Sequence, residues 1–108
     1  MSEDSQIIVP RSFIELFVPA GSSKPRESRE TIAERYEFCE DLAQMLTEQA
    51  RAKQFDLQVT ERDVLERIGR GLDAQPGLVS GAEGRWVLRR LAELLEWQPL
   101  EGTGVAGG

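Results

Sequence analysis

Between Ser28 and Gln54 the apolar residues Ile32, Tyr36, Cys39, Ala43, Leu46 and Ala50 recur at spacings of three and four. That period belongs to one face of an α-helix, and few runs in the chain alternate with the period of two that a strand requires. A helix of about 27 residues extends about 40 Å at 1.5 Å per residue. Phe38, Leu42 and Met45 widen its apolar arc to about half the circumference, so it is expected to touch two neighbours.

Four positions pair a hydroxyl residue with an acid three places on, the capping-box signature of a helix start. They are Ser12 with Glu15, Thr31 with Glu34, Thr60 with Asp63 and Ser80 with Glu83. Val59 and Val64 flank the third as a hydrophobic staple would. Pro10 and Pro19 bracket "RSFIELFV" and hold the first helix to about two turns. "PAGSSKPRES" then reads as a loop. The third helix is expected over 61–72, with Val64, Leu65, Ile68 and Leu72 on one side, and "DAQPG" stops it. The fourth is expected over 81–97, presenting Val87, Leu88, Leu91, Leu94 and Leu95.

These elements predict an all-α fold, a single small domain of about four helices. The long second helix is its spine, packed by two shorter helices, with the first helix closing an end. A chain of 108 residues is one domain by length. Residues 1–5 are expected to be a flexible N-terminus, 6–97 the helical domain, and 98–108 a disordered tail, because "EGTGVAGG" has nothing to bury.

Chemistry is narrowed by what the chain lacks. It has no histidine and one cysteine, Cys39. The commonest general base and the usual nitrogen and sulfur zinc ligands are therefore missing, and no internal disulfide forms. A net charge of −6 disfavours nucleic acid, whose phosphates need excess Lys and Arg. No run approaches the roughly 18 apolar residues of a membrane span, and the acidic start is no signal peptide, so a cytoplasmic location is expected.

"PGLVSGAEGRW", residues 76–86, has the glycines of a phosphate-cradling loop. Arg85 follows Gly84 where that motif needs lysine and then a hydroxyl, and Glu83 would set a negative charge among the phosphates. A capped helix start is the expected reading. No catalytic, metal or cofactor-binding residues are expected.

Three surfaces remain. Trp86 and Trp97 stand 11 positions apart, about 20° in azimuth on a helix, with Arg90 and Glu93 between them. Aromatic and arginine side chains on an outer face form interaction hot spots. The alternative is that Ile7, Ile8, Val9, Phe13 and Phe17 fold over that face. Glu30, Glu34, Glu37, Asp41 and Glu48 fall within about 40° of one line on the second helix, nearly opposite its core stripe. Such a row suits a basic partner, and equally a solvated face. Arg85, Arg89 and Arg90 make a basic cluster, but "DAQPGLVSG" is too long for the turn of a DNA-reading helix pair.

"IIVPRSFIELFV", "RYEFCEDLAQML" and "RWVLRRLAELLEW" together resemble a family of short bacterial proteins, some described as an ATPase with chaperone activity. The likeness covers nearly the whole chain except the last ten or so residues. It implies an ATPase or chaperone subunit, or a protein that works near a chaperone, and brings no functional residues with it. The expectation from the residues is a non-enzymatic interaction module, an adaptor or regulator with a protein partner or self-association. The alternatives are the ATPase that the resemblance implies and a DNA-binding regulator. Trp86, Arg90 and Trp97 are the first candidate surface, and the acidic row the second.

Overall fold

The structure, a computed structural model, describes residues 8–100. Among them are four α-helices, one 3₁₀ turn and no strand. Helix α1 is Arg11–Ile14 and runs into the 3₁₀ turn Glu15–Phe17; α2 is Arg29–Leu57, α3 is Glu61–Asp73 and α4 is Gly81–Leu95. The all-α architecture with a long second helix follows the apolar periodicity. Residues 1–5 and 101–108, expected to be flexible, lie outside the described residues. Gln98, Pro99 and Leu100, expected in the tail, are described, and Pro99 and Leu100 are half-buried.

Two compact units are distinguished, Met1–Phe38 and Cys39–Gly108, and the boundary falls within α2. In the first, Pro10 caps α1 at φ −65, so the Ser12 start is corrected. Proline fits there because its extended backbone (ψ 150) leaves its carbonyl to accept from Phe13 and Ile14 N–H, and the N–H it lacks would have no intrahelical partner. Phe13 is fully buried, with its ring 5.5 Å from that of Phe17 and edge-on to Tyr36 at 5.6 Å. Arg26 donates its N–H to the Phe17 carbonyl at 2.8 Å and sets its guanidinium 5.8 Å from the Phe17 ring. Helix α2 begins at Arg29, close to the expected Ser28, and the cap is Ser28 rather than Thr31, whose capping-box reading is corrected. The Thr31 N–H donates to Ser28 Oγ at 3.1 Å, and Ile32 N–H donates to the Ser28 carbonyl at 3.0 Å.

The second unit holds the rest of α2 together with α3 and α4. Its α2 residues Cys39, Leu42, Ala43, Leu46 and Ala50 are buried, as are Val64, Leu65, Ile68 and Leu72 of α3. Each leucine, isoleucine or valine side chain among them stabilises the fold by about 1.5–3 kcal/mol relative to exposure. Both expected caps form here. Asp63 N–H donates to Thr60 Oγ1 at 3.0 Å, and Ser80 and Glu83 complete a reciprocal capping box. The glycine-rich stretch is thus the start of α4. Helices α3 and α4 approach closely at Gly69, where a Cβ would stand 2.8 Å from Leu88 Cδ1.

Candidate functional site

Helix α4 is buried over much more of its circumference than the stripe Val87, Leu91 and Leu95. Its buried residues also include Glu83, Gly84, Trp86 and Ala92, which together sweep about 240° at 100° per residue. Ala92, fully buried, bounds the arc on one side, while Gly84 lies within the stripe, where a Cβ would stand at ordinary contact distance from Val79 and Leu72. Trp86 lies at the other edge of the same arc and is only 6% exposed. Its expected place on an outer face is corrected.

Trp97 is corrected too. Helix α4 stops at Leu95, because Glu96 turns left-handed at φ 63. The Trp97 N–H then donates back to the Ala92 carbonyl at 2.8 Å and the Glu96 N–H to Glu93 at 3.1 Å, the two bonds of a Schellman end. Beyond that turn the helical azimuth no longer applies, so the two tryptophans do not share a line. Trp97 is half-buried.

Arg90, the third member of that surface, is engaged within the unit. Its Nε and Nη2 donate to the two oxygens of Glu40 at 2.8 and 3.0 Å, and its Nη1 donates to Glu93 at 3.1 Å. Gln44 Nε2 donates to Glu40 at 2.8 Å. The Arg90 bonds hold the Glu40 carboxyl below the usual carboxylate range, with burial opposing and Gln44 assisting, and Glu40 in turn raises Arg90. This fork fastens α2 to α4. It is not a group waiting for a ligand.

The acidic row stands in solvent. Glu30, Glu34 and Glu37 are exposed in the first unit, Asp41 and Glu48 in the second, and none has an ion-pair partner among the described residues. On α2 of the second unit, Met45 is 57% and Phe55 81% exposed, and Leu57 is also exposed. Phe38, in the first unit, is exposed beneath the Arg35 guanidinium, 4.9 Å from its ring centroid.

The wide apolar arc expected of α2 is therefore half right. Leu42 is inside, whereas Phe38 and Met45 are outside. Phe55 and Leu57 escaped sequence reading because they lie past Gln54, the expected helix end. The usable signal was angular, since Met45 stands about 100° from Leu46 and well off the core stripe.

Elsewhere, a shallow depression of about 360 Å³ is lined by Thr60, Glu61, Arg62, Gln98 and Leu100. Arg62 there is paired with Glu66 at 3.3 Å, and the Thr60 hydroxyl accepts the α3 cap bond. Among the described residues no three cysteine, aspartate or glutamate side chains converge where a metal ion would sit, and no helix is long and apolar enough to cross a membrane. The chain matches no family model, no curated protein and no solved structure.

Proposed function

We propose that this chain is a non-enzymatic protein-interaction module, an adaptor or regulator that meets its partner through a helix face. One observation supports the reading. Among the described residues of the second unit, the large hydrophobic side chains left exposed are Met45, Phe55 and Leu57, and all three belong to α2. Apolar side chains scattered singly over a surface need no explanation, but Met45 and Phe55 stand within about 80° of each other on the outer side of one helix, which supports a docking face there. The candidate surface thus moves from Trp86, Arg90 and Trp97 to the second unit's part of α2, where Asp41 and Glu48 of the acidic row lie.

The test is capture from the native cell with wild type beside a Met45→Ser, Phe55→Ser variant and an Arg70→Ser surface control. Each variant's fold is checked by circular dichroism. A protein retained by wild type and control, lost by the α2 variant, and bound again when both are purified supports the reading. Equal capture by all three overturns it.

A further inference from the structure

We propose that the partner segment seated on α2 is basic and amphipathic, and that it lies on residues 41–56. This rests on the interaction reading above and adds the chemistry of the partner. At 100° per residue Asp41, Met45, Glu48, Ala52, Phe55 and Asp56 fall within about 100° of one another. All six are exposed, and the arc lies opposite Cys39, Ala43, Leu46 and Ala50, which are buried. The apolar groups are interleaved with three carboxylates that have no ion-pair partner among the described residues. The nearest cations on this part of the helix, Arg51 and Lys53, stand about 90° or more from the centre of the arc, one on each side.

That charge arrangement selects among occupants. A second copy laid antiparallel with Met45 near Ala52 sets Glu48 against Glu48, and a parallel copy sets every carboxylate beside its equivalent. Like charges brought together in an interface cost free energy. Polyanionic surfaces, phosphodiester or anionic lipid, are repelled for the same reason. A helix presenting Lys or Arg on either side of a leucine row satisfies the whole face. Met45 and Phe55 supply apolar area, while the exposed ion pairs, each about 0.2–1 kcal/mol, set encounter rate and discrimination.

The experiment is fluorescence anisotropy of the full chain with three labelled peptides. One is a helix-forming amphipathic peptide of leucine and lysine, one replaces lysine by glutamate, and one scrambles the leucine–lysine order. The expected result is binding of the first alone, weakened about tenfold by Met45→Ser, Phe55→Ser. Asp41→Lys, Glu48→Lys weakens it comparably and admits the glutamate peptide. Raising salt from about 50 to about 500 mM weakens it further by screening.

Equal binding of the glutamate peptide, or indifference to the charge reversal, overturns the basic-partner inference while leaving the interaction reading to its capture test. Equal binding of the scrambled peptide reduces the effect to net charge and also overturns it. A sedimentation dimer dissolved by Met45→Ser, Phe55→Ser would make a second copy the occupant and sink the inference. Circular dichroism of each variant separates loss of binding from loss of fold.

Discussion

The Arg90 guanidinium holds the Glu40 carboxylate through two parallel bonds, 2.8 and 3.0 Å long, fifty positions apart in sequence. The side chains keep only 32% and 17% of their exposure, so the pair is better shielded than a surface ion pair and still short of full burial. Bidentate geometry and Gln44 satisfy the carboxylate, which offsets part of its desolvation. A double-mutant cycle on Glu40→Ala and Arg90→Ala by urea unfolding should give a coupling of about 1–2 kcal/mol.

The same pair predicts a pH dependence. Glu40 is held below its ordinary pKa, chiefly by the Arg90 hydrogen bond. Its contribution is therefore fully present above the unfolded carboxyl value of about 4.3 and is lost as pH falls through the lower folded value. The melting temperature of wild type should exceed that of Glu40→Gln by a constant margin from neutral pH to about pH 5. The margin should close in more acidic solution. A margin unchanged on acidification would show that the carboxylate contributes by shape alone.

Gly69 and Gly71 lie two positions apart on α3 yet should respond oppositely to alanine. Nothing lies within 4 Å of a Cβ at Gly71, whereas at Gly69 Leu88 Cδ1 is 2.8 Å away. Gly71→Ala should stabilise by about 0.5–1 kcal/mol through helix propensity. Gly69→Ala should gain less or lose stability, since Leu88 must shift. In a Leu88→Ala background the two alanines should become equivalent, measured as differences in urea midpoint.

Helix existence was legible in this chain, and helix ends and faces were less so. The starts at Thr60 and Ser80 are written in side-chain chemistry that acts locally, and both formed as read. The stop of α3 was legible too, since that helix ends at Asp73 where "DAQPG" begins, but the stops of α2 and α4 were not. Helices α2 and α4 each end in a left-handed residue that is not glycine, Gln58 at φ 55 and Glu96 at φ 63. No glycine therefore marked where the backbone turns. The outer-face reading of Trp86 failed for a tertiary reason. A periodic stripe shows where a helix is certainly buried, but not how far burial extends around it, and on α4 buried Trp86 lies about 100° to one side of Val87 and buried Ala92 about 60° beyond Leu95 on the other. The acidic row was legible as a solvated face. The apolar groups among its carboxylates were not, because Met45 read as core and Phe55 lay past the expected end.

Those left-handed ends make their own prediction. A side chain with a Cβ pays about 1–2 kcal/mol there, and glycine removes that strain at some cost in unfolded-chain entropy. Gln58→Gly and Glu96→Gly should each raise stability by about 0.5–1 kcal/mol. Gly21→Ala, at φ 82 with open space around it, should lower stability by a similar amount for the converse reason. Thermal melts of the three variants check the set, and a loss at either Gln58 or Glu96 would contradict it.

The tryptophans should separate cleanly in solution, because one is buried and the other half-buried. The Trp97→Phe variant reports Trp86 alone and should show blue-shifted emission with weak acrylamide quenching. Trp86→Phe reports Trp97 and should show redder emission with stronger quenching. Truncation follows the same division. Trp86→Ala should cost about 3–5 kcal/mol as a large-to-small core change, much of a small domain's total of about 5–15. Trp97→Ala should cost clearly less. Lost binding in a Trp86→Ala variant would then report unfolding rather than a broken interface, which is why the interaction tests above substitute exposed Met45 and Phe55. Strong quenching of Trp86, equal to that of Trp97, would place Trp86 at the surface and return it to the set of candidate contacts.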